Sequence, residues 1–499
     1  MKKKYTIGPS SSIIILTIIV GILGTALSIF NIEGTITNIE NGVLSTTTTT
    51  FKSLMTSSAI KYIFSNIVVN FKMYEPLVLL IISLIGVSIC ENSGLIKAKM
   101  ESLRKFKPQV ITFLVLIIGF VFSFIGSYAY IIFLPLVGTM YKYLNRNGAL
   151  GIITLFIGVT VGQACGVICN YDTYLLGEMT TKAARIVDES YKMSMSSNMY
   201  ILIVSSVIFI FALTGIITSK LEYRFAKPEK ENDELVVSQK GLKAVNITLL
   251  FVGVVLIYLL VPGIYGSGLL LDKSADSYIA KLFSDAAPFK EGILFLVVLI
   301  MMLCGLIYGK VSGNIKTSDD YNKGLSISFS KTGYVFVLMF FASILTSVLE
   351  YTNIHEMVCV SLVEFVGNLN FTGVLLILAL FIVTILITFV FPSLTGKWLL
   401  MSPVIVPLFM KANINPNFTQ FIFTAADSIG KCITPFFAYF IVMIGFMQKH
   451  NDNNERITLF KIMNMMAKLT LLIMVIWILI IIGWYIIGIP TGVGAYPTI

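Results

Sequence analysis

The stretch FTAADSIGKCITPFFAYF, residues 423–440, sits inside an apolar run, 417–447, that is long enough to cross a bilayer. It nevertheless carries Asp427 and Lys431. Insertion scales put each such charge at roughly 2.5–3.5 kcal/mol at the centre of a membrane helix, so something must compensate it. The spacing tells what kind of surface these residues form. Gln420, Thr424, Asp427, Lys431 and Thr434 follow one another at intervals of four, three, four and three, which places them on one face of a helix. A polar stripe on an otherwise apolar helix faces protein or water, and an acid and a base one turn apart offset each other's insertion cost. Pro435 removes a backbone donor just beyond the stripe. It predicts a break there, with carbonyls freed to hold an ion or a substrate.

Composition agrees with a chain that lives in the bilayer. It is 56% hydrophobic and 12% charged, with a mean hydropathy of +0.89; soluble domains carry about twice that charge. The net charge of +10 calls for no nucleic-acid partner, because Lys and Arg gather in short polar connections, as they do when these stay on the cytoplasmic side. The cysteines, Cys90, Cys165, Cys169, Cys304, Cys359 and Cys432, lie in or beside apolar stretches. Cys165 and Cys169 are four apart with no histidine or further cysteine to support them, so they read as small packing residues, and neither a metal site nor an organic cofactor is expected. His355 and His450 lie in no H-E-x-x-H pattern, and the chain has no G-x-S-x-G and no P-loop. An enzyme is therefore not expected. The enzymatic alternative is an intramembrane hydrolase pairing Ser393 with Lys431.

Membrane spans are predicted at 13–30, 74–92, 148–169, 199–219, 244–262, 289–309, 333–350, 417–447 and 465–488. The first follows MKKK and has no small-x-small cleavage site behind it, so it reads as an uncleaved span. The basic segments at the start and at 96–107, 142–146, 220–230, 310–316 and 449–461 are assigned to the cytoplasm. The Thr-rich loop 32–70 and the segment 270–288 are assigned to the outside. Nine spans then leave the N-terminus inside and the C-terminus outside a bacterial cytoplasmic membrane.

Two apolar regions do not fit as simple spans. Between Lys107 and Lys142, both assigned to the cytoplasm, lie fewer residues than the roughly forty that two crossings take, interrupted by SFIGSYAY (123–130). A re-entrant hairpin, 109–140, is the economical solution. Region 372–410, broken at FPSLTGKW (391–398), behaves likewise and enters from the opposite side. Both tips carry Ser-x-x-Gly, Ser123/Gly126 and Ser393/Gly396, and both are followed by Pro-Leu and then by an acid-bearing segment, with Asp172 or Asp427. The same order in opposite orientation is the pattern of an inverted repeat whose broken helices meet near the midplane. The expected fold is an all-α polytopic membrane protein of about nine transmembrane helices plus two opposed re-entrant hairpins. Its parts are N-terminal spans with an external loop (1–107), a first repeat (108–219, acid-bearing segment 148–172), a cytoplasmic linker (220–243), connecting spans (244–331), a second repeat (332–447) and a C-terminal span (448–499).

Longer stretches carry a family resemblance: IGVSICENSGLI (85–96), CGLIYGKVSGNIKTSDD (304–320), GKWLLMSPVIVPLFM (396–410), INPNFTQ (414–420) and ADSIGKCITPFFAYF (426–440). They resemble the aminobenzoyl-glutamate transporter (AbgT) family, and the similarity runs from NFKMYEPL (70–77) to the last span. The resemblance implies a homodimer of secondary transporters that take up p-aminobenzoyl-glutamate or export sulfonamide-like antimetabolites on the proton-motive force. It places functional positions at Asp172, Trp398, Pro416, Asp427 and Pro435. It also marks departures: Thr424 stands where the family has an Arg, Lys431 where it has an Asn, Ser127 where it has an acid at the first tip, and Thr388 where it has an Asn before the second.

The expected function is ion-gradient-coupled transport of a small organic anion, p-aminobenzoyl-glutamate or a related aromatic amide. The alternatives are a carrier for a dicarboxylate, peptide or amino acid and, in a different class, a channel. Coupling is expected to depend on Asp427 and, more weakly, on Asp172, taking H+ or Na+, with any Na+ near Asp427. Substrate is expected at Ser393, Thr395, Trp398, Pro416, Thr424, Lys431 and Pro435, with hydroxyls and helix-start N–H groups holding a carboxylate and the indole stacking on an aromatic ring. Lys431 supplies a fixed positive charge in place of either the family's Arg or a coupling Na+. The expected partners are the substrate, the coupling ion, the bilayer and a second copy of the chain.

Overall fold

The computed structural model describes residues 7–40, 43–166, 170–225, 235–451 and 457–499. Among them, ten helical stretches are long and apolar enough to cross a membrane. Eight correspond to expected spans. The other two, Pro108–Ile125 and Gly373–Val390, are the entering arms of the two broken regions. The remaining expected span, 417–447, is two shorter helices, Pro416–Lys431 and Ala438–Lys449, with Pro435 in the gap. A residue without an N–H, which also disfavours helical geometry in its predecessor, ends the ladder there. Thr434 consequently lies outside the helix, where its hydroxyl donates to the Phe389 carbonyl, so the helical stripe ends at Lys431.

The segment 32–70 is more ordered than a loop. Strands Glu33–Glu40 (β1) and Val43–Thr50 (β2) pair antiparallel, with Glu33 opposite Thr50 and Ile36 opposite Thr47. Their β-branched Thr and Ile favour the extended backbone. Thr56 then caps a helix, Ser57–Lys72, that leads into Glu75–Asn92. The helical expectation thus holds for the membrane part, with this ribbon as an addition.

The first broken region runs Pro108–Phe122, a tight turn at Ser123–Ile125, then Tyr128–Tyr143. Gly126 turns the chain at φ +60°, a conformation that costs glycine nothing sterically. Both arms pack on Gly148–Cys165 more than on each other. The second region runs Gly373–Val390, a non-helical stretch at 391–393, then Leu394–Lys411. Ser393 caps its returning arm, its Oγ accepting from the Gly396 amide at 3.3 Å. The entering arm packs on Pro416–Lys431, whereas the returning arm packs on Tyr171–Ala184, which follows the first broken region in the chain, so the two regions interlock. The segment 148–172 is itself broken: Gly148–Cys165 ends, and Asn170 caps Tyr171–Ala184, whose first turn holds Asp172. Cys169 lies outside the described residues. The five described cysteines are buried free thiols.

Candidate functional site

The stripe helix Pro416–Lys431 carries its charges into the protein interior. Asp427 is 3% exposed and Lys431 6%. Lys431 Nζ donates to Asp427 Oδ2 at 2.8 Å, one turn away on the same helix. The other carboxylate oxygen, Oδ1, is met from the second broken region. Lys397 Nζ on the returning arm bonds it, and Thr388 Oγ1, in the last turn of the entering arm, lies 3.3 Å away. Lys397 Nζ also donates to Thr388 Oγ1 at 2.6 Å. Gly430 permits this convergence, since a Cβ at that position would collide with Thr388. Three charges this deep are tolerated only because each is paired. With two ammonium groups on one carboxylate, one positive charge is left over.

Lys431 also faces open space. A cavity of about 450 Å³ is lined by Ser127 and Asp172, from the first broken region and the helix that follows it, and by Ser393, Thr395 and Lys431, from the second broken region and the stripe helix, with Glu75 and Glu350 also on its wall. Ser127 and Asp172 also border a second cavity, of about 380 Å³, shared with Lys290 and Glu291. A narrow cleft of about 20 Å³ is lined by Asp172, Thr424, Asp427 and Lys431 among others. Asp172 and Asp427 therefore border one narrow cleft, with Lys431 beside both.

The structure brings most of the sequence-selected residues to this region. Ser393, Thr395, Lys431 and Asp172 line the large cavity. Thr424 borders the cleft, its hydroxyl donating to the Phe421 carbonyl at 3.0 Å. Pro435 lies in the helix gap, and its neighbours Phe436 and Phe437 line the cavity. Gly126 borders the second cavity, and Gly396 sits in the first turn of the returning arm. Ser123 is buried and bonds backward to the Phe120 carbonyl at 2.7 Å.

Two residues lie elsewhere. Trp398 is fully enclosed: its Nε1 donates to Thr180 Oγ1 at 2.9 Å and its ring centroid lies 4.4 Å from that of Phe423. The stacking partner expected to be substrate is therefore Phe423, because the indole points from the returning arm toward the protein interior and not into the cavity. Pro416 begins the stripe helix, roughly 16 Å along the axis from Asp427. Beside it, Asn417 Nδ2 donates to the Ser197 carbonyl, Asn198 Oδ1 and Thr491 Oγ1, a network that anchors the start of the helix. Gln420 accepts from Thr180 at 2.6 Å. Lys397 was missed by sequence reasoning, although its signal was present: a charge one turn past the tip, in an arm that is otherwise apolar, is the same anomaly as Asp427.

Residues 7–499 match the model of the "AbgT putative transporter family". The chain belongs to the AbgT family of transporters. As an AbgT member it is a multi-pass membrane transporter acting on small-molecule substrates across a lipid bilayer. It is similar to the p-aminobenzoyl-glutamate transport protein of Escherichia coli K12, 24% identical over 455 residues that cover 89% of this chain and 87% of that one. Its fold is similar to that of the solved YdaH transporter of Alcanivorax borkumensis, with TM-score 0.50, 24% identity and coverage of 97% and 99%. The solved structure of Neisseria gonorrhoeae MtrF, of a class of antimetabolite efflux pumps, aligns with TM-score 0.49, 22% identity and coverage of 99% and 98%.

Proposed function

We propose that this AbgT transporter carries a small aromatic amide bearing a carboxylate, p-aminobenzoyl-glutamate or a related antimetabolite, by alternating access between its two broken regions. The observation that carries this is the single cavity walled by Ser127 and Asp172 on one side and by Ser393, Thr395 and Lys431 on the other. Its volume suits a small organic ligand. A substrate carboxylate placed there meets the Lys431 ammonium and the Ser393 and Thr395 hydroxyls. An aromatic ring meets Phe437 and Tyr439, the latter stacked on Tyr130 at 4.9 Å. The substrate of the Escherichia coli relative, by its name, belongs to the same chemical class.

Both broken regions are proposed as re-entrant hairpins in a bacterial inner membrane, with the N-terminus inside, the C-terminus outside and a homodimer as the assembly. On that orientation the end of the cavity lined by Asn70 and Glu350 opens outward. Coupling to H+ or Na+ is assigned chiefly to Asp172. Both oxygens of Asp427 already hold ammonium groups, whereas Asp172 borders both cavities. The same pairing argues against hydrolysis, since Lys431 is bonded to Asp427 as a cation and is not poised as a base for Ser393.

Counterflow in proteoliposomes tests this function. Vesicles preloaded with unlabelled p-aminobenzoyl-glutamate should transiently accumulate the labelled compound, saturably. Dissipative flux without accumulation would indicate a channel, and no flux at all would remove this substrate.

A further inference from the structure

Lys397 is the charged group of the cluster that lines neither of the two large cavities nor the narrow cleft. It is fully buried, with its Nζ 5.8 Å from the centre of the Phe423 ring. Its bonds are to Thr388 and to Asp427 Oδ1, which leaves Oδ2 for Lys431. The two lysines thus hold the same acid from opposite sides, one sealed in and the other at the cavity wall. The cluster carries one surplus positive charge, which Asp172 faces from across the narrow cleft, and Lys431, at the cavity wall, is the member able to meet an incoming anion. If Lys431 turned toward that anion in a cluster with no other base, Asp427 would become a buried, unpaired carboxylate, a costly state. Lys397 and Thr388 are on Oδ1, the oxygen that Lys431 does not use.

We propose that Lys397 is a resident counter-ion, a positioning residue that keeps Asp427 neutralised so that Lys431 is released to bind a substrate carboxylate. This deepens the anion-transport reading above and rests on it. It also specifies the ligand chemistry: one carboxylate delivered to Lys431, with no mobile cation needed at Asp427. The Thr388 hydroxyl and the Phe423 face complete the ammonium's surroundings, so its place is built from side chains of all three elements that meet at the second break.

Equilibrium binding of labelled p-aminobenzoyl-glutamate to the purified full-length chain separates this role from a merely structural tie. In Lys397→Gln, Lys431 becomes the sole charged partner of Asp427, and affinity should fall by about tenfold to a hundredfold. In the double variant Lys397→Gln/Asp427→Asn the acid and its counter-ion go together and Lys431 is free again. Affinity should return to within about threefold of the parent. A structural tie predicts the reverse, with the double variant no better than the single one, and that result, or an unchanged affinity in Lys397→Gln, overturns the proposal.

A second measurement needs no substrate and so stands even if the parent chain binds no p-aminobenzoyl-glutamate. Methylammonium chloride should raise the Tm of Lys397→Ala by about 2–3 °C by filling the vacated ammonium site. Choline chloride, too large for it, should not, and neither salt should act so on the parent or on Lys397→Ala/Asp427→Asn. Equal responses of Lys397→Ala to the two salts, or a methylammonium response that survives Asp427→Asn, contradict a counter-ion seat.

Discussion

The two broken regions share a plan and differ in what stands at the break. At the first, Ser123 bonds back to Phe120, Gly126 takes a positive φ, and Ser127 presents an uncharged hydroxyl to the cavity. At the second, Ser393 bonds forward to the Gly396 amide while Lys397 and Thr388 converge on Asp427, with Lys431 on the far carboxylate oxygen. Backbone conformation holds the first tip and charge holds the second. The shared plan brings two breaks to one cavity, and on the function proposed here the unequal chemistry makes the second a place for an anion.

The largest effect should come from breaking the charged side. Asp427→Asn leaves two buried ammonium groups without their acid, and removing one member of a buried ion pair costs about 3–5 kcal/mol. The loss should be read as a fall in Tm and in the yield of folded protein, larger than for any other variant here. Ser127→Ala, the matching change at the neutral tip, should leave both nearly unchanged. Comparable losses for the two would erase the asymmetry.

Asp172→Asn comes next. It should leave exchange of substrate within about threefold of the parent while gradient-driven accumulation drops by about tenfold or more, because Asp172, unlike Asp427, faces both cavities and so has access to a mobile ion. Accumulation that persists in this variant would move coupling elsewhere. A smaller effect is expected at Gly126→Ala. The new Cβ would have room, 3.6 Å from Asp172 Oδ2, so the cost is conformational and about 1 kcal/mol, read as a lower Tm with counterflow retained. No change in Tm would mean that the first tip does not depend on its left-handed residue.

Trp398→Phe should have the smallest effect on transport. It removes the bond to Thr180, worth about 1 kcal/mol, and should weaken aromatic and aliphatic substrates equally, since the indole packs on Phe423. A loss confined to aromatic substrates would bring the indole to the ligand.

The fold was legible where length, charge and proline carried the information. Chain too short for two crossings around SFIGSYAY marked the first break, and Pro435 marked the gap after the stripe helix, which itself ends four residues earlier, at Lys431. The two strands at 33–40 and 43–50 were missed and read as loop, although their Thr- and Ile-rich composition favours strand. The convergence on Asp427 was not readable in full. Periodicity relates residues along one helix, so it found Lys431, but Lys397 reaches the same acid from a different arm, across a gap that Gly430 leaves open. Sequence likewise selected Trp398 by residue type, and only packing could tell that its ring faces Phe423 and not the cavity.

The central claim is that Lys431 at the second break receives the substrate's carboxylate. Its most direct test is the binding preference of Lys431→Met for p-aminobenzoyl-glutamate over the uncharged diamide of the same compound. The parent chain should favour the acid by about tenfold to a hundredfold, the worth of a charge-assisted hydrogen bond, and Lys431→Met should bind the two within about threefold of each other. A variant that keeps the parent's preference for the acid would show that the anion is held elsewhere.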